Sequence, residues 1–275
     1  MATAPVTDGT WDVPAHVVRE FRGRRTRHVT VVPVLNEGER ICNQIKRMHT
    51  VGACEASDVV IADGGSADGS LDDAFLAAHG VRAVVVKTGL GRLSAQLRCG
   101  YAWAMCQGYE GVVTIDGNGK DEVEAIPAFL QHLDDGFDYI QASRFMAGGR
   151  GVRTPFIRHL AVRFIHAPLL SLAAGRRFTD TTQGFRGYSR AYLMDSRVQP
   201  FREVFTDYEL LAYLTLRAPQ LGLRVTEVPT VRTYPVGGVV PTKITGWRGP
   251  LRLLRTLVAA CLGAYHPPVR PGRAS

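Results

Sequence analysis

Val112-Val113-Thr114-Ile115-Asp116-Gly117-Asn118-Gly119-Lys120-Asp121 is an apolar, β-branched run that stops at a carboxylate. A run of this kind reads as a buried parallel strand. Polar groups at the carboxyl end of such a strand stand where open α/β sheets bind ligands. Asp116 and Asn118 both offer oxygen, the ligand type that hard divalent cations take, and a metal held there can carry a diphosphate. The competing reading is a plain strand-end turn, because Asp, Gly and Asn all favour turns.

Working outward, the run is the last of four strands separated by helices. The others lie at residues 28–34, 58–62 and 81–86. Asn36-Glu37-Gly38-Glu39 resembles a helix start, a capping residue with Glu three positions on, and Ile41, Ile45 and Met48 continue at helical spacing. A second helix carries Leu71, Ala74, Phe75 and Ala78 on one side, and a third spans 94–106. This alternation predicts an α/β fold, a mostly parallel sheet with helices on both faces. Beyond Asp116 the pattern is less regular. Helices are expected at 123–133 and 208–218, strands at 139–142 and 224–228, a helix pair at 155–174 broken near Pro168, and a basic amphipathic helix at 247–264. Residues 1–27 read as a peripheral extension with a short helix over 16–21. The expected organisation is an extension (1–27), one catalytic domain (28–246, with a nucleotide-binding half 28–121 and an acceptor half 122–246), and a C-terminal helix and tail (247–275).

In a parallel sheet every carboxyl end points the same way, so the turns at 33–37, 63–66 and 116–121 are expected to converge on one rim. Asp63 can accept from a base N–H there, while Gly64 and Gly65 let a ligand approach the backbone. A tight turn with a helix cap is the alternative for Asp63-Gly64-Gly65-Ser66 alone.

The chain has 275 residues, 45% hydrophobic and 21% charged, with a net charge of +8. These values are ordinary for a globular protein. The positive surplus favours polyanionic partners, yet no nucleic-acid-binding module accompanies it. A solvated face is the alternative for each basic cluster. No segment reaches the ~20 apolar residues of a membrane span, and no signal peptide is visible. The five cysteines lack metal-ligand spacing, which suits reduced thiols in a cytoplasm. The expected location is cytoplasmic, with peripheral contact to the inner face of a membrane through basic amphipathic helices left open. A homo-oligomer is also left open.

Three stretches in order, Val31-Val32-Pro33-Val34-Leu35-Asn36-Glu37, Ile61-Ala62-Asp63-Gly64-Gly65-Ser66-Ala67-Asp68-Gly69-Ser70 and Ile115-Asp116-Gly117-Asn118, resemble the family 2 glycosyltransferases, which have the GT-A fold. Ser143-Arg144-Phe145, Asp180-Thr181-Thr182-Gln183-Gly184-Phe185-Arg186 and Glu227-Val228-Pro229 are most similar to the polyprenyl- and dolichyl-phosphate sugar synthase branch. The resemblance implies donor-binding roles for Pro33, Val34, Asn36, Glu37, Asp63, Gly64, Arg92, Gln96, Arg98, Asp116, Gly117 and Asn118. It implies a divalent cation, Mg or Mn, at Asp116 and Asn118. Asp116 matches the first acid of the family's Asp-x-Asp motif, but Asn118 replaces the second, so the ion is expected to bind more weakly. Lys120 departs from the pattern too and is expected to neutralise part of the diphosphate; a solvent-facing turn lysine is its alternative. Asp207 matches the family's catalytic base, with Glu209 as competitor and a helix cap as the bland reading of Asp207. Arg144, Asp180, Gln183 and Arg186 are expected near acceptor or phosphate. The Gly/Pro-rich stretch 234–243 is expected to act as a lid, with Arg232 and Lys243 offering phosphate contacts; an ordinary connecting loop is its alternative.

The leading expectation is an inverting glycosyltransferase that moves a sugar from a nucleotide-sugar donor, a UDP-sugar above all, to a hydroxyl acceptor. The alternatives are a polyprenyl-phosphate glycosyl synthase at a membrane surface, a nucleotidyltransferase, and an inactive sugar-nucleotide binder. The acidic Asn36-Glu37 after the first strand counts against the nucleotidyltransferase, which needs a basic Gly-rich loop there.

Overall fold

The computed structural model describes residues 11–235 and 248–268. Its strands are β1 (His16–Glu20), β2 (His28–Val34), β3 (Asp58–Asp63), β4 (Val81–Lys87), β5 (Gly111–Thr114), β6 (Tyr139–Ser143), β7 (Arg150–Val152), β8 (Arg186–Ser189), β9 (Val225–Pro229) and β10 (Val231–Thr233). The helices are α1 (Glu39–Thr50), α2 (Ala53–Ala56), α3 (Asp73–Ala78), α4 (Leu93–Cys106), α5 (Ile126–Asp134), α6 (Phe156–Ala161), α7 (Ala167–Ala174), α8 (Arg190–Met194), α9 (Glu209–Gln220) and α10 (Arg248–Cys261). Eight strands form one sheet in the order β1-β4-β3-β2-β5-β8-β6-β9.

β4, β3, β2 and β5 are mutually parallel. Every residue of β2 and β3 is buried, as expected of strands covered on both faces. One apolar layer joins the sheet to α4, α7 and α9 through residues such as Leu97, Tyr101, Leu170 and Leu214. The other joins it to α1 and α5 through Ile41, Ile45, Met48 and Phe129. α4 crosses the sheet closely at Gly100, where a Cβ would lie 3.1 Å from Ala62 and Val31 side chains. β8 runs antiparallel between β5 and β6, so both halves of the chain share one sheet. β10 and β7 pair separately.

Several expectations need correction. Residues 16–20 form a strand rather than a helix, antiparallel to β4. The open edge of β4 offers a row of unpaired backbone groups, and the β-branched pair Val17-Val18 suits an edge partner. α1 begins at Glu39 without a side-chain cap. Asn36 instead has φ 49° and accepts from the Ala67 N–H at 2.8 Å. The 155–174 region is not a broken pair: α6 continues through a π turn (Val162–His166) into α7. Pro168 lies inside this continuous helix, two residues past the π turn, and the proline that cannot donate to a regular ladder coincides with that local irregularity. The resulting helix, Phe156–Ala174, has 19 residues and a mean hydropathy of 1.2, long and apolar enough by length and composition to cross a membrane. The sequence criterion missed it because Arg158, His159, Arg163 and His166 interrupt the apolar run.

Gln96 ties the ends of two central strands together. Its amide donates to the Val34 carbonyl at 2.8 Å and to the Ala62 carbonyl at 2.5 Å from a buried position. Gln96→Leu strips both bonds inside the core. It should cost about 1–3 kcal/mol and lower the melting temperature by several degrees in calorimetry.

Candidate active site

The three turns do meet. The Gly64 N–H donates to the Val34 carbonyl at 2.8 Å and the Gly117 N–H to the Pro33 carbonyl at 3.3 Å. The Asn36 N–H donates to Ser66 Oγ at 3.0 Å. Gly117 lies so close to β2 that a Cβ would sit 2.8 Å from the Pro33 oxygen. Asp63 is buried at the end of β3 and accepts from the Ser66 N–H and hydroxyl. Glu37 pairs with Arg40 at 2.8 Å. Arg92 opens α4, its N–H donating to the Thr206 carbonyl at 2.7 Å. Gln96 braces the rim from below, as described. Arg98 is not part of it: the buried guanidinium donates to the Asp12 carbonyl and straps the N-terminal segment to α4.

At the centre, Asp116 faces a guanidinium. Arg232 Nη2 lies 3.1 Å from Asp116 Oδ2, while Nη1 donates to both Asp121 oxygens at 2.6 Å. The Thr233 N–H donates to the Lys120 carbonyl at 2.8 Å, so β10 is stitched along the Asp116–Asp121 loop. Burial alone would lower the pKa of Arg232, but Asp121 and Asp116 outweigh it and hold it above the ordinary value. Burial raises the Asp121 carboxyl, against the pull of Arg232. Lys120 is 7% exposed, not a solvent-facing turn lysine. Burial and then Arg232 lower its pKa. Asn118 turns its amide nitrogen toward Asp116 at 3.5 Å. Gly184 abuts the Asp116 carboxylate so closely that a Cβ would collide with it.

The acceptor-side residues form a second buried network. Arg144 holds Asp180 through Nε at 2.7 Å and Nη2 at 3.1 Å, and donates to Thr182 Oγ1 at 2.7 Å. Burial opposes ionisation of Asp180, but Arg144 overrides it and keeps the carboxyl below its usual range. Gln183 donates to Asp180 at 3.2 Å. Arg186 spends its donors on the carbonyls of Gln183, Leu211 and Thr181, so it braces the fold here.

Two residues that the sequence left without a role complete the site. The Tyr234 hydroxyl accepts from Arg144 at 3.2 Å and from Arg158 at 3.4 Å, and Lys120 Nζ stands 5.6 Å from its ring centroid. Burial would raise the phenol, yet Arg232, Arg158 and Arg144 pull it below its ordinary value. Arg158 was hidden in a basic cluster read as a solvated face. Glu227 is a third omission: it accepts from the Thr179 and Asp180 N–H groups at 2.9 and 3.2 Å and so positions the Asp180 turn. Lys243 and most of the expected lid lie outside the described residues.

The two candidate bases are engaged. Asp207 pairs with Arg252 at 3.1 Å through Oδ2; its Oδ1 is buried without a hydrogen-bond partner among the described residues. The helix is not capped by Asp207, since the N-cap of α9 is Tyr208. Glu209 accepts from the Thr206 and Asp207 N–H groups at 3.0 and 2.6 Å, a backbone-capping duty.

The metal expectation was tested against the donor set. Among the described residues no three His, Cys, Asp or Glu side chains gather as a metal site. Asp116 is already countered by Arg232, Asn118 adds no charge, and Lys120 is buried beside them. Hard divalent ions prefer several anionic oxygens, and this set does not fit one held tightly.

A large mixed sheet flanked by helices, with three turns meeting on one rim, is the GT-A glycosyltransferase architecture. The chain belongs to glycosyl transferase family 2, whose sequence profile matches residues 30–197. It is 28% identical over 223 residues to the polyprenol monophosphomannose synthase of Mycolicibacterium smegmatis, covering 80% of this chain and 82% of that protein. It is likewise 28% identical over 211 residues to the undecaprenyl-phosphate mannosyltransferase of Micrococcus luteus, covering 74% and 82%. Among solved structures, its fold is similar to glucosyl-3-phosphoglycerate synthase from Mycobacterium tuberculosis in complex with Mn2+, UDP and phosphoglyceric acid. That match has a TM-score of 0.59 at 18% identity and covers 88% of this chain and 78% of the other.

His166, on the π turn, bonds Thr181 Oγ1 at 2.7 Å. Burial and then Arg186 push its imidazole down to about 4. The folded value lies below the ordinary ~6.5, so the neutral ring is favoured by folding. Its stability contribution is complete above pH ~6.5 and is lost as the pH falls toward 4, a change of about 3 kcal/mol. Urea unfolding across this range should show that slope, and His166→Gln should flatten it.

Proposed function

We propose that this protein transfers a sugar, with inversion, from a nucleoside-diphosphate sugar to a polyprenyl phosphate at a membrane surface. The observation that carries the reading is the meeting of Arg144 and Arg158 at the Tyr234 hydroxyl. Asp180 balances Arg144, but Arg158 has no carboxylate partner among the described residues, and its charge suits an anionic acceptor. Arg158 arrives there from the helix with the most exposed apolar side chains: Ile157 is 82%, Phe164 66% and Leu172 83% exposed. α10 packs against α7 and exposes Leu251, Leu254 and Val258, with Leu262 exposed just past its end. Apolar faces of this kind, studded with arginine, rest at the headgroup boundary. A lipid phosphate would thus enter from the side on which its chain is solvated. The sequence similarity to polyprenol- and undecaprenyl-phosphate mannosyltransferases supports the same acceptor.

In the proposed reaction the donor's nucleotide lies on the rim of Pro33, Asp63 and Asp116. An acceptor phosphate oxygen forms a bond to the anomeric carbon from the face opposite the diphosphate. The bond from that carbon to the diphosphate oxygen breaks, and its electron pair leaves with the nucleoside diphosphate. Fixed cations beside the leaving group stabilise the charge that develops there. The acceptor is already ionised, so no general base is needed. That agrees with Asp207 paired to Arg252 and Glu209 capping a helix. The expected location is the inner membrane face, as a peripheral protein.

A hydroxyl acceptor with Asp207 as base is the second reading, favoured by the partnerless Asp207 Oδ1. Purified enzyme would be offered UDP- and GDP-sugars with undecaprenyl phosphate, undecaprenol, or sugar hydroxyl acceptors. Product on the lipid phosphate is expected. Asp207→Asn should keep kcat within about threefold, and Arg158→Gln should lower kcat/KM for the lipid about tenfold, the order of one charged hydrogen bond. Glycosylation of hydroxyls only, abolished by Asp207→Asn, would overturn the proposal.

A further inference from the structure

We infer that two side chains of this protein, Arg232 and Lys120, take the place of the divalent cation in gripping the donor diphosphate, so that donor binding and transfer proceed without a metal. The inference rests on the glycosyl-transfer reading above and goes beyond it.

The geometry carries it. A metal in this fold class has to be held by the loop that follows β5. In this protein the first acid of that loop, Asp116, lies 3.1 Å from Arg232 Nη2. The same guanidinium is fixed from behind by both oxygens of Asp121 at 2.6 Å. Asp121 is 3% exposed and Arg232 6% exposed, so this is a built, water-poor pair and not a surface contact. A planar guanidinium with five donors retains N–H groups beyond those used on carboxylates, and it matches phosphate oxygens geometrically. The second motif position, Asn118, brings no charge, and its amide nitrogen is directed at Asp116. Two residues further, Lys120 is buried with Nζ above the Tyr234 ring. Lysine is an effective point-charge partner for phosphate. A dication arriving at Asp116 would have to displace a clamped guanidinium and sit beside a buried ammonium, with a single carboxylate as reward. Two preplaced cationic side chains need no ion to be recruited, and their positions are set by folding.

Arg232 is tethered through backbone as well as side chain. It pairs with Asp121 in an isolated antiparallel bridge, and the neighbouring Thr233 N–H donates to the Lys120 carbonyl. The two cations therefore move as one unit with the loop that bears Asp116. Such preorganisation is what a charge-stabilising group needs in a transition state.

The test is calorimetric titration of the wild-type protein with UDP and GDP in EDTA, then in Mn2+ or Mg2+, alongside Mn2+ electron paramagnetic resonance. The expected result is an affinity for the preferred nucleotide that differs less than about twofold between the two conditions, with no stoichiometric Mn2+ signal lost on adding nucleotide. Transfer should survive EDTA. Lys120→Gln should weaken nucleoside diphosphate binding at least about tenfold in EDTA. Arg232→Gln strands Asp121 in the core and is expected to unfold, so the paired change Arg232→Gln/Asp121→Asn keeps the second cation testable, with the same direction of loss. The double variant Asn118→Asp/Lys120→Gln, which restores an acid and removes a cation, should acquire Mn2+ dependence. Loss of binding and transfer in EDTA, restored by Mn2+ in the wild type, would overturn the inference while leaving lipid-phosphate glycosylation intact. Metal-independent nucleotide binding with no product on any lipid phosphate would instead sink the functional reading and spare this one.

Discussion

The site depends on a single clamp, the guanidinium of Arg232 held between Asp121 and Asp116. Removing either carboxylate would leave a buried charge short of its partners, which is far costlier than the net worth of the pair. The clamp does more than balance charge. It fixes β10 against the loop after β5, and the chain then delivers Tyr234 to the point where Arg144 and Arg158 meet. One interaction thus sets the spacing between the Asp116 loop and the Tyr234 cluster.

The first half of this architecture was legible because its signals are local. Four apolar β-branched runs, each stopping at a polar turn, fix a parallel core, and parallel strands force the turns at Val34, Asp63 and Asp116 onto one edge. Asp63, Asp116 and Gly117 could be placed for that reason. Register confirms it, with Val34 beside Asp63 and Val31 beside Thr114. The second half was less legible because its relations are long-range. Nothing in Val231-Arg232-Thr233 announces that a three-residue strand will lie against Lys120, 111 residues away from the Asp121 that its arginine holds. Arg98 looked like a phosphate ligand by motif, but helical geometry turned it toward Asp12. Residues 16–20 have weak intrinsic preference, and the free edge of β4 decided their conformation.

The comparison with known proteins sharpens the chemistry at the acceptor end. The leading sequence expectation was a hydroxyl acceptor, and the relatives named above act on polyprenol and undecaprenyl phosphate. The structure offers a physical reason to follow them. A base must be free to take a proton, whereas Glu209 accepts from two backbone N–H groups and Asp207 has one oxygen tied to Arg252, leaving just its buried Oδ1. An anion-binding pocket needs only fixed positive charge at close range, and the surroundings of Tyr234 provide it.

The π turn at Val162–His166 has a consequence for how the two surfaces are aligned. Each residue of an α-helix advances the winding by ~100°, so one wider turn offsets everything before it relative to everything after it. Upstream of the offset, Arg158 looks inward to Tyr234; at its end, His166 looks inward to Thr181. Residues eight apart in a regular α-helix stand ~80° from each other, and the wider turn brings Arg158 and His166 closer to one line. Angular phase, set by a local widening of the coil, lines up the two inward side chains while Ile157, Phe164 and Leu172 stay exposed.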